Sequence, residues 1–93
     1  MIKSFRDKET QKLFMGRKSK AVSGQAVRRA QRKLAQLDQV ESVEELRIPP
    51  GNRLHKLTGD REGQWAISIN DQYRICFHFE NGNAYEVEAT DYH

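Results

Sequence analysis

Cysteine is nearly absent from this chain. Cys76 is the single cysteine, so no disulfide can form within the chain, which agrees with a reducing compartment. Cys76 stands between Ile75 and Phe77, a setting typical of an inert strand residue rather than of a nucleophile.

Long hydrophobic runs are also absent. No segment approaches the ~18 consecutive apolar residues that span a bilayer. The first residues, MIKSFRDKET, lack the apolar segment of a secretory signal. We therefore expect a globular cytoplasmic protein with no membrane contact.

Three kinds of chemical site lack their motifs. The sequence contains no Gly-rich phosphate loop and no Gly-x-Ser-x-Gly elbow, which argues against nucleotide hydrolysis and acyl transfer. The histidines His55, His78 and His93 show none of the short regular spacings of a zinc site, and one cysteine is too few. We therefore expect no metal site.

Charged residues are abundant in this chain, and they are unevenly distributed. The 93 residues, 37% hydrophobic and 31% charged, fit a single domain over residues 1–93. Residues 1–40 contain eleven Lys and Arg against three Asp and Glu, whereas residues 41–93 contain five against ten. The first half suits a polyanionic partner, although a solvated helix face would carry the same charge.

Helical periodicity marks the first half. Lys8–Met15 is predicted to form one or two helical turns, and a longer amphipathic helix is predicted from about residue 24 to residue 37, with Ser23 as its N-cap. Ser42 and Glu45 fit a capping box that starts one more turn, which IPPGN ends. The apolar stripe of the longer helix comprises Val27, Ala30, Leu34 and Leu37, and the cations Arg28, Arg29, Arg32 and Lys33 lie largely off it.

Strict alternation of apolar and polar residues marks the second half and predicts an antiparallel sheet with one buried face. Asn70–Gln72 and Asn81–Gly82 are predicted to join its strands as short turns. A short strand is expected at 53–57 and a weaker one at Ile2–Phe5. The buried face is predicted to comprise Trp65, Ile67 and Ile69, then Tyr73, Ile75, Phe77 and Phe79, then Tyr85, Val87 and Ala89.

These patterns predict an α+β fold, with N-terminal helices packed on one face of a mainly antiparallel twisted sheet and the other face open. Alternation assigns Arg74, Cys76 and His78 to the open face. Arg74 is either a structural partner for one of the many acidic residues or a clamp for phosphate, since a guanidinium fits two phosphate oxygens.

His55 and the chain end are the candidates for chemistry. His55 stands between charged neighbours, where most histidines are surface residues, and the chain ends on Asp91, Tyr92 and His93. Segments remote in sequence can meet at one rim of an antiparallel sheet. Two histidines and an arginine supply a base, an acid and a cation, which are the parts needed to cleave RNA at its own 2′-hydroxyl. That scheme needs no metal and no other cofactor.

Three motifs carry a resemblance to a known family. They are LxGDRxGxWxI at residues 57–67, NDQYRICF at residues 70–77 and the terminal DYH. Through them nearly the whole chain resembles the HigB toxins of bacterial toxin–antitoxin pairs, a branch of the RelE superfamily. The resemblance implies a RelE-like fold and a ribosome-dependent endoribonuclease, or mRNA interferase, that cuts translated mRNA in the ribosomal A site.

The resemblance also implies roles for individual residues. The catalytic histidine of the family falls on His55, and the arginine of the penultimate strand falls on Arg74. The terminal acidic, aromatic and histidine positions fall on Asp91, Tyr92 and His93.

RNA contacts and partners are further implications. Family members often have a lysine in this loop at the position that holds Thr58 here, and Lys56 is the nearby candidate for RNA contact. The cations of the longer helix, Arg28, Arg29, Arg32 and Lys33, are expected to hold rRNA phosphates. The implied partners are a HigA-type helix-turn-helix antitoxin, the 30S A site and mRNA, with operator DNA reached only through the antitoxin. Two alternatives stay open: a non-catalytic RNA- or ribosome-binding module, and a protein-interaction domain whose basic half meets an acidic partner.

Overall fold

The computed structural model describes residues 1–91, and helices precede strands along the chain. Within these residues the helices are α1 (Lys8–Phe14) and α2 (Ala26–Gln39), and the strands are β1 (His55–Lys56), β2 (Trp65–Ser68), β3 (Tyr73–Glu80) and β4 (Asn83–Asp91). Short 3-10 turns occur at Val43–Arg47, Pro50–Asn52 and Gly59–Arg61. Tyr92 and His93 lie outside the described residues.

In the described part of the chain, the strands form one sheet in the order β1-β2-β3-β4, and each strand is antiparallel to its neighbour. Both α-helices pack on one face of this sheet, so the predicted α+β arrangement is confirmed. Burial of apolar surface between the two layers supplies the main driving force for folding. The core between them includes Leu13 of α1, Leu34 and Leu37 of α2, and Ile67, Ile75 and Phe77 of the sheet.

The start of α2 differs from the prediction. The N-cap position is Gln25, without a side-chain capping bond, so the prediction of Ser23 as N-cap was wrong. Gly24 has a left-handed φ of 65° and turns the chain between Ser23 and the helix, and the Ser23 hydroxyl instead lies 3.2 Å from the hydroxyl of Tyr73. The predicted capping box at Ser42 is confirmed and opens the 3-10 turn Val43–Arg47.

The N-terminal segment runs beside β4 instead of forming a strand of its own. Residues 2 and 5 make isolated parallel bridges to Ala84 and Val87. The Lys3 amide donates to the Ala84 carbonyl at 2.7 Å, and the Arg6 amide donates to the Val87 carbonyl at 3.0 Å. The predicted strand at Ile2–Phe5 is thus reduced to two bridges along the outer edge of the sheet.

A bulge in β4 changes which residues face the core. Glu86 has a φ of 53°, and the register between β3 and β4 shifts between Cys76 and His78. One extra residue reverses the alternation on its N-terminal side, so Tyr85 pairs with His78 while Ala84 is buried in the core. The prediction that Tyr85 shares the core face was wrong, whereas Val87 and Ala89 are buried as predicted.

The face of the sheet opposite the helices is only partly open. Cys76, predicted to lie on that face, is buried in a small second cluster with Leu57 and Ala66. Arg61 and Glu88 form an ion pair of 2.9 Å, with side chains 28% and 19% exposed. Cys76 lies opposite Ala66 on β2 and Glu88 on β4. The remaining accessible part of this face lies toward His55, Ser68 and Arg74.

Candidate functional site

A cavity of about 250 Å³ opens on this face and is lined by Arg53, His55, Ser68 and Arg74. Strand register explains why they meet. His55 of β1 lies opposite Ala66 of β2, and Ser68, two residues further along β2, lies opposite Arg74 of β3. Because side chains two residues apart share one face of a strand, the sheet brings the two residues predicted for chemistry, His55 and Arg74, into one cavity.

His55 is exposed, and a backbone contact defines its protonation pattern. Its Nδ1 lies 2.8 Å from the carbonyl oxygen of Arg53. A carbonyl oxygen can only accept, so Nδ1 must carry the proton and donate it. In the neutral ring, Nε2 then keeps its lone pair and can take up a proton.

The conformation of Arg53 creates that contact. Arg53 ends the 3-10 turn Pro50–Asn52 with φ 50° and ψ 47°, and its amide donates to the Pro50 carbonyl at 3.0 Å. The left-handed conformation is uncommon for a residue with a Cβ. It also explains why the strand predicted at 53–57 is reduced to His55–Lys56.

Arg74 is half-buried and lies between Ser68 on β2 and Thr90 on β4. It also influences the neighbouring thiol. Burial raises the pKa of Cys76, and the charges of Arg74 and Arg61 oppose that shift only in part. A thiol kept protonated is a poor nucleophile, which agrees with the expectation that Cys76 is inert.

The predicted residues at the chain end are placed only in part. Asp91 is the last residue of β4 and pairs with Tyr73, and its Oδ2 accepts a hydrogen bond of 3.0 Å from Gln72 Nε2. Asp91 does not line the cavity. The expected approach of His93 to His55 and Arg74, and the expected role of Tyr92, concern residues outside the described part.

A second cavity, of about 290 Å³, lies along α2 and is lined by basic side chains. Arg29, Arg32 and Lys33 converge on it, together with Gln36, Gly51 and Ile69. The two cavities are neighbours, since Ile69 follows Ser68 in sequence and Gly51 and Arg53 flank Asn52. Arg28, the fourth predicted cation of this helix, is exposed and does not line the cavity.

Lys33 differs from its neighbours on α2. Burial, and then the nearby charges of Arg29 and Arg32, lower the pKa of its ammonium group. That ammonium donates a hydrogen bond to the side-chain oxygen of Asn52. Lys56 also has a local contact, since its ammonium lies 5.1 Å from the ring centre of Trp65, a cation–π distance.

Among residues 1–91, no group of three or more His, Cys, Asp or Glu side chains could hold a metal ion. In the same residues, none of the helices has the length and hydrophobicity to cross a membrane.

Over residues 3–93, the sequence matches the family described as RelE-like toxin of type II toxin-antitoxin system HigB. The chain belongs to this family. It is 40% identical over 93 residues to Endoribonuclease HigB of Proteus vulgaris, covering 100% of both chains. It is 35% identical over 85 residues to Toxin HigB-1 of Vibrio cholerae serotype O1, covering 90% of each.

Family membership confirms the resemblance to HigB toxins and the RelE-like fold. A toxin of a type II pair has a cognate antitoxin, so this toxin is one half of a two-protein system.

Sequence reasoning missed two residues that line the first cavity of this toxin, Arg53 and Ser68. Alternation along β2 could have found Ser68, which follows Ala66 by two residues, whereas Arg53 precedes β1 in a left-handed conformation to which alternation does not apply. The backbone contact from Arg53 to His55 had no such signal, because it depends on a left-handed residue that is not glycine.

Proposed function

We propose that this toxin is an endoribonuclease that acts on the translating ribosome, cuts mRNA in the A site and thereby inhibits translation and growth. The observation that carries the proposal is the shared cavity of His55 and Arg74. The name of the relative Endoribonuclease HigB supports it, at 40% identity over the whole of both chains.

The proposed reaction is an attack of RNA on its own backbone. The 2′-oxygen bonds to the adjacent phosphorus as its proton passes to a base, and the bond from phosphorus to the 5′-oxygen breaks as that oxygen gains a proton from an acid. The products are a 2′,3′-cyclic phosphate and a 5′-hydroxyl. No step is assigned to a metal or other cofactor.

Side chains of the toxin would supply the base, the acid and the charge. His55 acts as the base through Nε2, because its Nδ1 proton is engaged by the Arg53 carbonyl, and His93 acts as the acid. Arg74 stabilises the doubly charged phosphorane with its forked donors. Asp91 orients or tunes a histidine, and Tyr92 stacks on a base or positions the phosphate.

Binding would rest on the basic surface. Arg28, Arg29 and Arg32 of α2, with Lys56, are proposed to contact RNA phosphates, which would make ribosome binding weaken as salt rises. The convergence of the positive charges of Arg29, Arg32 and Lys33 on one cavity supports an anionic occupant. The proposed partners are therefore the 30S A site and mRNA, with a HigA-type helix-turn-helix antitoxin as the inhibitor, in the cytoplasm.

The test is mRNA cleavage by the full-length chain on programmed ribosomes, followed by mapping of mRNA 5′ ends. His55→Gln, Arg74→Gln and His93→Gln are each expected to lose about 10²-fold or more in cleavage rate. The matched control is His78→Gln, which alters a half-buried histidine of β3 that does not line the cavity. This control is expected to cleave as the unmodified toxin does.

The alternatives predict different outcomes. A non-catalytic ribosome-binding module would slow translation without producing new 5′ ends, and His55→Gln would not relieve the inhibition. A protein-interaction domain would leave translation on purified components unchanged. Cleavage of purified mRNA without ribosomes would refute the ribosome-dependent part of the proposal alone.

A further inference from the structure

Lys33 is directed to a buried amide and not outward to solvent. It is half-buried on α2, and its ammonium donates to the side-chain oxygen of Asn52. Burial beside Arg29 and Arg32 lowers the pKa of this ammonium, so the surroundings disfavour its charge. A lysine held in that position is better explained by the contact it makes than by attraction to distant phosphate.

Asn52 connects α2 to the loop that precedes β1. The residue is fully buried, and its Nδ2 donates to the Leu46 carbonyl at 3.0 Å, to Gln36 Oε1 at 3.1 Å and to the Ile48 carbonyl at 3.4 Å. Lys33 supplies the partner of the remaining side-chain oxygen. A buried amide needs its partners, and the Lys33 contact completes those of Asn52 at the end of the turn Pro50–Asn52.

The turn Pro50–Asn52 also determines the direction of the Arg53 carbonyl group. Arg53 follows Asn52 directly, and its left-handed conformation directs its carbonyl oxygen to His55 Nδ1 at 2.8 Å. A non-glycine residue keeps this conformation only where the surrounding contacts hold it. Apart from the Arg53 amide, which donates to the Pro50 carbonyl at 3.0 Å, the neighbouring contacts are those of the Asn52 side chain.

We propose that Lys33 and Asn52 are positioning residues for His55. They hold the turn Pro50–Asn52 against α2, so that the Arg53 carbonyl keeps the imidazole in the tautomer protonated at Nδ1 and leaves Nε2 free to act as a base. The proposal rests on the proposed catalytic role of His55. It also assigns Lys33 a role different from that of Arg29 and Arg32, which would contact RNA directly.

The test measures the tautomer of the His55 imidazole directly and requires no RNA. The full-length chain, labelled with ¹⁵N in histidine, is examined by NMR at about pH 8, above the ordinary histidine pKa of ~6.5. In the unmodified chain His55 is expected to be predominantly protonated at Nδ1. Lys33→Met, which keeps the aliphatic stem and removes the donor, is expected to abolish that predominance.

Arg32→Met is the matched control, because it removes the same charge from an exposed position of α2 with no hydrogen bond to Asn52. It is expected to leave the His55 tautomer unchanged. Lys33→Arg, which retains a donor, is expected to restore part of the Nδ1-protonated population. Lys33→Leu, which also lacks a donor, replaces Lys33→Met if that variant does not give a folded amide spectrum.

An unchanged His55 tautomer in folded Lys33→Met would overturn the inference. On programmed ribosomes, Lys33→Met is expected to lose part of the ~10²- to 10⁴-fold contribution of acid–base catalysis. Failure of the positioning role can be distinguished from failure of the proposed function. If His55→Gln cleaves normally, the catalytic role of His55 is wrong whatever its tautomer, whereas a required His55 with an unchanged tautomer refutes only the positioning role.

Discussion

Ser68 of β2 lies directly opposite Arg74 of β3, and both side chains line the cavity that contains His55. The pairing places a small residue beside the guanidinium, where the cavity of about 250 Å³ opens.

Arg74→Lys tests whether the forked shape of that guanidinium matters. Lysine keeps the charge but cannot offer two parallel donors to a phosphate. We expect the cleavage rate on programmed ribosomes to fall by about 10²-fold, with an unchanged melting temperature. The control is Arg47→Lys, since Arg47 is exposed and pairs with Glu44 at 2.7 Å. An equal loss in both variants would mean that the effect is not specific to the cavity.

Glu88→Gln tests the ion pair on the same face of the sheet. The variant keeps the shape of the side chain and an acceptor oxygen but removes the negative charge that lies 2.9 Å from the Arg61 guanidinium in a mostly buried setting. We expect the free energy of unfolding, measured in urea, to fall by about 1–2 kcal/mol. Glu44→Gln removes an acidic residue that is 61% exposed and should leave the urea midpoint unchanged. Similar shifts in the two variants would contradict a role for burial.

Gly82→Ala tests the hairpin between β3 and β4. Gly82 has a φ of 81°, and an added Cβ would lie 3.3 Å from the Glu41 carbonyl oxygen. We expect a loss of about 1–2 kcal/mol in the free energy of unfolding, from backbone strain and close contact together. Gly51→Ala is the control, because a Cβ there would meet open space and its φ is not positive. A stable Gly82→Ala protein would show that the turn can change its type.

Cys76 makes the stability of the fold depend on pH in the alkaline range. Its pKa in the folded chain is raised by burial, so the thiol of the unfolded chain ionises first as the pH rises. Its contribution to stability is therefore complete below the ordinary thiol pKa of 9.0 and is lost as the pH rises toward the raised value of the folded chain. We expect the stability advantage of the unmodified chain over Cys76→Ala to shrink between about pH 8 and pH 10, measured by urea unfolding. A constant difference over that range would mean that the folded thiol ionises normally.

The sequence predicts most of the sheet because its signals are local. Alternation and the Asn81–Gly82 dipeptide identify β2, β3 and the hairpin, and the left-handed φ values of 52° and 81° in that dipeptide confirm the turn. The bulge at Glu86 could not be predicted in this way, because glutamate carries no preference for a positive φ. A single extra residue there exchanges the roles of Ala84 and Tyr85.

The candidate site likewise contains residues that the sequence predicts and contacts that it does not. His55 and Arg74 could be identified because each is an unusual residue in a recognisable pattern, and the strand register brings them together. The support proposed for His55 could not be identified, because it depends on a hydrogen bond between Lys33 of α2 and Asn52, 19 residues apart in the sequence. Contacts between remote segments depend on tertiary packing, which periodicity does not report.

The segment before α1 has a consequence for how the toxin meets other proteins. Residues 1–6 satisfy backbone groups of Ala84 and Val87 along the outer edge of β4, and Ile2 is held to Asp38 of α2 by a hydrogen bond of 2.8 Å. A partner strand could extend the sheet along this stretch only by displacing the N-terminus first, and β1 at the opposite edge is two residues long. These two described stretches of the sheet border thus resist edge-to-edge association, which disfavours polymerisation of a free toxin chain through them.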